Sequence, residues 1–371
     1  MAKPEDVFVP FEIDFLPSET GGEIGDAIAL RYGLTHNQKI IVYDAGDSQH
    51  AQKLVKHIQH FFNTDCIEHL VCSHPDPHST PGLVVVLEQM QVGTLWLHQP
   101  WLYCREMADY FMTNQSKQPG LGQTFEAKFR SSYELAKLAN QKGVAIKEPF
   151  QGQWIGHFHV LSPAKQWYVS ELVPQFKQPI SSPNHLMRFL RCLRKTAKRA
   201  VSWAAEKWET EYLPETGHTS AENESSVVLY GNLEDYHYGL LLTGHAGVEA
   251  LHRALDYLEL LNIHAPKHIQ FMQVPHHGAL EHVSSVLLNR LVGAPLEQEP
   301  VVKHKVAFIS TPSGESSYPH ASVVNALLRR GVKVVATEGK IKRHHKNTQT
   351  TADWRVAQPL SFSEQVKLES S

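Results

Sequence analysis

Long apolar runs are missing from this chain of 371 residues. No stretch approaches the ~18–20 apolar residues that span a bilayer, so no membrane partner is expected. The opening residues, Met1-Ala2-Lys3-Pro4-Glu5-Asp6, lack the charged-then-apolar pattern of a secretion signal. Cysteine is scarce. Cys66, Cys72, Cys104 and Cys192 are the full set of 4, without Cys-x-x-Cys spacing. That argues against a disulfide scaffold and for buried free thiols in a reducing cytoplasm. Charge of one sign is lacking too: the net charge of -3 gives no global pull toward nucleic acid. With 42% hydrophobic and 20% charged residues, the rest describes an ordinary soluble globular protein of one large or two small domains.

Histidine is the residue in excess, with 24 copies. Position has to decide which of them do chemistry. The run Ile67-Glu68-His69-Leu70-Val71-Cys72 leads into Ser73-His74-Pro75-Asp76-Pro77-His78. Alternate residues of an extended segment point the same way, so His74, Asp76 and His78 can converge on one point, as metal ligands must. His245 ends the run Leu240-Leu241-Leu242-Thr243-Gly244, and His276-His277 follow Ile269 to Pro275. Three apolar runs that end in histidine predict strands delivering ligands to one sheet edge, the architecture of a metallohydrolase.

Strands are expected at 11–16, 26–32, 39–43, 67–72 and 94–97, with helices at 49–62 and from Ser79 to Met90. Ser79 can cap that second helix, with Pro81 in its first turn. The rhythm loosens between about Arg105 and Glu215. There a helix over Tyr133–Ala139, an isolated strand at 158–163 and a long helix from His185 to Tyr212 are expected. That long helix carries Arg188, Arg191, Arg194, Lys195, Lys198 and Arg199 beside an apolar stripe. Packing on the body or on a second copy, giving a homodimer, is its plainer reading. Attraction of a polyanion is the sharper one. Strands at 226–230, 240–244, 269–274, 305–310 and 332–337 alternate with helices near 251–261, 282–292 and 321–330. The alternation is that of an α/β layered fold. The basic cluster Lys340 to Lys346 reads as a solvated face.

Several motifs together resemble the metallo-β-lactamase-fold hydrolases, in particular the branch similar to the soluble domain of DNA-uptake competence proteins. They are Gly25-Asp26-Ala27, Asp44-Ala45-Gly46, Ser73-His74-Pro75-Asp76, Asn223 to Val228, Leu241-Leu242-Thr243-Gly244 and Pro275-His276-His277-Gly278, in that order. The resemblance covers roughly residues 8–100 and 220–340. It implies a four-layer αββα sandwich: a first half at 1–104, a partly helical insertion or cap at 105–215, a second half at 216–345 and a tail at 346–371.

The chain departs from the family pattern where the metals sit. His78 stands in the place of an Asp, Ser79 in that of the adjacent His, and His245 in that of the Asp that bridges two metals. Ala279 replaces a Ser. In the other register His78 matches the second His and the Asp partner is absent. A carboxylate bridges two dications and offsets their charge, whereas a neutral imidazole binds one and adds none. The substitutions therefore favour a His-rich, mononuclear site, suited to one Zn2+, with a second zinc or Mn2+ as alternatives. The expected ligands are His74, Asp76, His78, His245 and His276, with Asp76, His78 and His245 closest to the chemistry. Asp26, Asp44, His98, His277 and His320 are candidates for the surrounding or substrate-side shell. Plain structural roles for them are turn fixing by the two Asp and packing by His98, with His320 an ordinary loop histidine. Hydrolysis of a phosphodiester or related ester is the implied activity, on a phosphate-containing small molecule or a nucleic acid. A degenerate member kept as a binding or scaffolding subunit is the alternative.

Overall fold

The computed structural model describes residues 9–17, 25–34, 36–75, 80–103, 126, 128–176, 202–215, 217–233, 238–301, 303–312, 318–348 and 354–368. Strands β1 (Phe11–Phe15), β2 (Ala27–Tyr32) and β3 (Lys39–Ala45) form an antiparallel meander. Helix α1 (Ser48–His57) begins at Asp47, whose carboxylate accepts the His50 amide and satisfies one of the open donors of the first turn. Strand β4 (Cys66–Val71), helix α2 (Thr80–Gln89) and strand β5 (Gln91–Trp96) follow, the strands parallel to β3. After helix α3 (Arg130–Gln141), β6 (Ala145–Lys147) adds one more parallel strand.

The second sheet starts with a hairpin of β7 (Trp154–Ile155) and β8 (Phe158–Ser162). Strand β9 (Ser202–Ala205) stands apart from it. Strand β10 (Val228–Asn232) pairs antiparallel with β8 and with β11 (Gly239–Leu242). Three parallel strands complete the sheet: β12 (Ile269–Gln273), β13 (Lys305–Ile309) and β14 (Val332–Ala336). Helices α4 (Val248–Leu260), α5 (Ser285–Val292) and α6 (Ala321–Arg329) connect them. Strand β15 (Lys342–Lys346) then crosses back to pair with β1, and β16 (Gln365–Leu368) pairs with β9.

The strand orders are β15-β1-β2-β3-β4-β5-β6 and β14-β13-β12-β11-β10-β8-β7. Each sheet thus runs through antiparallel pairs into parallel ones, so the two halves share a plan that no residue repeat announces. One apolar core lies between the sheets, where Phe11, Ile13, Phe15 and Leu30 meet Phe158, Leu229, Leu240, Phe271 and Phe308. A second core lies under the helices. It takes in Leu54, Leu83 and Leu87 of the first half and Leu251, Leu287 and Leu327 of the second. Strands covered on both faces read as near-continuous apolar runs, which is why β3 and β11 stand out in the sequence. The αββα layering expected from the sequence is therefore present. Among the described residues no helix is long and apolar enough to cross a membrane.

Three expectations are corrected. The strand at 158–162 is not isolated, because β10 pairs with it on one side and β7 on the other. Together with β6 it shows that part of the 105–215 span belongs to the two sheets rather than covering them. The helix expected from His185 to Tyr212 does not reach its end: residues 202–205 are a strand, held by the tail strand β16, and no helix follows to 212. Its basic stripe, Arg188 to Arg199, lies outside the described residues.

The third correction is the supposed solvated face at Lys340 to Lys346, which contains strand β15. Its alternation sends Arg343 and His344 to opposite sides of the sheet. Arg343 donates to Asp14 through Nε (2.7 Å) and Nη2 (2.5 Å), and its Nη1 lies 3.2 Å from Glu12. His57 of α1 also reaches Asp14, at 2.7 Å, and Arg31 pairs with Glu12. Glu12 and Asp14 are fully buried, so these partners are what make their burial tolerable. Replacing Arg343 by Met leaves Asp14 with His57 and Glu12 with Arg31, one partner fewer for each buried carboxylate, and is expected to cost about 3–5 kcal/mol, read by urea denaturation. A cost below 1 kcal/mol would show that water reaches the pair.

His344 enters the core between the sheets. Its ring stacks on Phe271 at 4.6 Å, and Nε2 lies 2.8 Å from the Tyr238 hydroxyl. Burial pushes its pKa down to about 3, with His345, Lys333 and Lys346 adding to the effect. An unfolded histidine titrates near 6.5. Between pH 6.5 and about 3, the unfolded chain gains a proton that the folded chain refuses. Stability therefore falls as pH falls, by roughly 1.4 kcal/mol per pH unit from this group. Chemical denaturation of His344→Phe across that window should give a shallower slope than the parent; an unchanged slope would exclude the assignment.

Candidate metal centre

The parallel strands of both sheets point their C-terminal ends to one edge, and the candidate residues sit on the loops that leave it. Asp44 ends β3 with a φ of 56°, and its Oδ1 accepts the Ser73 amide at 2.8 Å. That bond fixes the turn carrying His74, whose Nδ1 lies 2.8 Å from Ser73 Oγ. In the second sheet, Gln273 Oε1 accepts the amides of Thr243 and Gly244, each at 3.0 Å, and so holds the turn before His245. The His276 amide donates to the Gly244 carbonyl at 3.0 Å. His276 and His277 both sit in the left-handed region, at φ 45° and 56°. Two consecutive non-glycine residues there carry strain, a common mark of functional sites.

Gly244 makes the meeting of the two sheets feasible. Its φ is +52°, and a Cβ there would lie 2.8 Å from Tyr43 Oη and 3.0 Å from Ser73 Cβ. The His245 turn therefore presses directly on the turn that bears His74. Their rings lie 4.1 Å apart, and the His245 ring is 4.4 Å from that of His276 and 4.9 Å from that of His277. His282 stacks on His276 at 4.1 Å.

Three ligand atoms draw closest. His245 Nε2 is 3.1 Å from His277 Nε2 and 3.8 Å from Asp26 Oδ2. The three side chains are buried and together form a group able to hold a metal ion. Asp26 and His277 each have a partner that aims them. The Ser310 hydroxyl donates to Asp26 Oδ1 at 2.5 Å, and His277 Nδ1 lies 3.1 Å from the Ser310 carbonyl. The carbonyl can only accept, so His277 carries its proton on Nδ1 and turns the lone pair of Nε2 toward His245.

Burial sets the charges. It pushes Asp26 up to about 6 against the Ser310 hydrogen bond and the His74 charge, and Asp44 up to about 6 against His74 and Ser73. It pushes His245 well below its ordinary value, His276 to about 4 and His282 to about 3, and neighbouring imidazoles add to each shift. Near pH 7 these rings are neutral, the form that ligates a cation.

The structure thus brings together His74, His245, His276 and His277 with Asp26 and Asp44. Asp26 and His277, expected in the surrounding shell, stand in the tightest group. Asp76 and His78 lie outside the described residues, as does the cap residue Ser79. His320 lies beside the edge: its amide bonds Gly278 at 3.0 Å, and its Nδ1 accepts the Ser322 amide at the start of α6. His98 takes a different place. It packs between Phe150 and Tyr168 at 4.7 and 4.5 Å, with its pKa pushed down to about 3 by burial. His282 and Ser310 were missed as site residues, because His282 belongs to no spacing motif and Ser310 acts through a backbone carbonyl as well as its hydroxyl.

No family model matches the chain, and neither does any curated protein. Solved structures do match in shape. The metallo-beta-lactamase fold protein YhfI from Bacillus subtilis aligns with 90% of this chain and 100% of its own, at 7% identity and a TM-score of 0.38. A metallo-beta-lactamase from Pontibacter korlensis covers 79% and 95%, at 12% identity and 0.31. AidC, a dizinc quorum-quenching lactonase, covers 66% and 73%, at 12% identity and 0.29. None of these three is a DNA-uptake competence protein.

Gly244→Ala should drive the two turns apart. We expect a loss of about 1–3 kcal/mol from the forced left-handed backbone and the contact with Tyr43. Metal uptake should fall with it, read by calorimetric titration with Zn2+. Parent-like stability would mean that the turns do not press on each other.

Proposed function

We propose that the chain is a metal-dependent hydrolase of a phosphodiester or related ester bond, working through a His-rich centre built on Asp26, His245 and His277. The observation that carries it is the convergence of those three ligand atoms, from three separate strand ends, among buried imidazoles. In a tetrahedral zinc site with Zn–N near 2.0–2.1 Å, two ligating nitrogens stand about 3.3–3.4 Å apart. The 3.1 Å between the His245 and His277 Nε2 atoms is close to that, and the Asp26 oxygen completes a three-ligand set. His74 and His276 flank it and are the candidates for further ligands. Zinc in such a site would supply Lewis acidity and a bound water acidified toward a pKa of about 7. The chain's own residues would orient the centre through Ser310, Ser73 and Gln273. Asp44, a carboxyl on the same edge, is placed to take up a proton.

The 3.1 Å contact also fits an ordinary N–H···N hydrogen bond between two neutral rings. That observation favours the second reading, a metal-free fold kept as a binding or scaffolding subunit. Elemental analysis separates the two. We expect purified protein to hold about one zinc-class ion per chain, and His245→Ala and His277→Ala to lose it. Chelator-sensitive hydrolysis of bis(p-nitrophenyl) phosphate should fall at least tenfold in both variants. Metal-free protein that takes up no added zinc would leave the second reading standing.

A further inference from the structure

We propose that a second site, between the edge strands β6 and β7, binds a nucleoside monophosphate unit. A cavity of about 660 Å³ opens where the edge strands β6 and β7 of the two sheets come side by side. This is within the ~300–1,000 Å³ range of small-molecule sites. Its floor includes the buried rings of Trp96 and Phe150, and its rim carries Trp154, Lys147, Lys165, Gln99 and Gln153.

Two features of the rim have no structural use that explains them. Trp154 is 60% exposed, although its ring is a large apolar surface. One face stacks on His159 at 4.4 Å and 6°, which fixes the indole plane and leaves the other face for a planar guest. Lys147 and Lys165 lie over the Trp96 and Tyr103 rings at 5.4 and 5.3 Å, and neither has a carboxylate partner among the described residues. Glu148, the one acidic lining residue, is occupied elsewhere: Oε1 accepts the Gln99 amide at 2.9 Å, and the Tyr103 hydroxyl donates to Oε2. The cavity therefore offers a fixed stacking surface, two unspent ammonium groups and two amide side chains.

A guest matching all three is an aromatic ring with edge hydrogen-bonding groups and a phosphate. Base stacking on an aromatic side chain tolerates any base, and the lysines supply the charge contact. The set holds no histidine and only one carboxylate, so it is not a cation site. Gln99 lies just past β5 and His74 just past its neighbour β4, so the cavity and the histidine turn follow the same ends of adjacent parallel strands. If the proposed hydrolysis holds, the cavity names a nucleotide as part of the substrate; the binding itself does not rest on it.

The test is calorimetric titration of the full chain, in chelator, with AMP, adenosine and inorganic phosphate. AMP should bind at one saturable site, at least tenfold tighter than either fragment. Trp154→Ala should weaken AMP at least tenfold, while Trp154→Phe keeps most of the affinity. Lys147→Gln with Lys165→Gln should weaken AMP tenfold and leave adenosine unchanged. A 5′-phosphorylated dinucleotide run in parallel tells the two sources apart: tighter binding than AMP assigns a strand end, weaker binding a free mononucleotide. AMP binding no better than its fragments, or parent-like binding by a folded Trp154→Ala, overturns the proposal. Chelator-sensitive hydrolysis that survives such a result leaves the metal centre standing.

Discussion

Desolvation at the histidine edge is the constraint on which the rest depends. Five imidazoles and two carboxylates are packed where the two sheets meet, and nearly all of them are buried. Polar groups taken out of water destabilise a fold unless partners are supplied. The backbone supplies many of them: the Ser310 carbonyl for His277, the Ala246 carbonyl for His282 and the Ser73 amide for Asp44. Side chains supply others, the Ser310 hydroxyl for Asp26 and Ser73 for His74, while His245 Nε2, His277 Nε2 and Asp26 Oδ2 face one another. A shared cation would reconcile them, which is why the metal reading accounts for more of the edge than a set of separate structural roles.

The sheets serve that edge. Parallel strands end together, so β3, β4, β11, β12 and β13 all deliver their following residues to one side. Gly244 and the left-handed pair His276-His277 then replace regular geometry with turns that no strand would adopt. Regularity holds up to the last strand residue and stops where the chemistry begins.

Much of the fold was legible in the sequence because strands covered on both faces are written as apolar runs, and helices as stripes such as Leu251, Leu255 and Leu258. The site was legible in part. His74, His245 and His276-His277 announced themselves by ending such runs. Asp26 did not, because a carboxylate before a strand reads equally well as a turn former; its role depends on Ser310, 284 residues away. His282 was hidden for the same reason, since its partners His276 and Ala246 come from other loops. Strand β15 was misread because its composition is all cation and imidazole, and only pairing with β1 reveals that Arg343 and His344 are engaged on opposite sides of the sheet.

That return of β15 has a consequence for how the protein is made. Asp14 and the guanidinium that clasps it are 329 residues apart in the chain, so the clasp forms only once β15 has been added. Until then the first sheet lacks the strand that borders β1, while Glu12 keeps Arg31 and Asp14 keeps His57. The first sheet is bordered by a strand from the other half of the chain, so a chain cut before residue 343 is expected to leave β1 with one open edge.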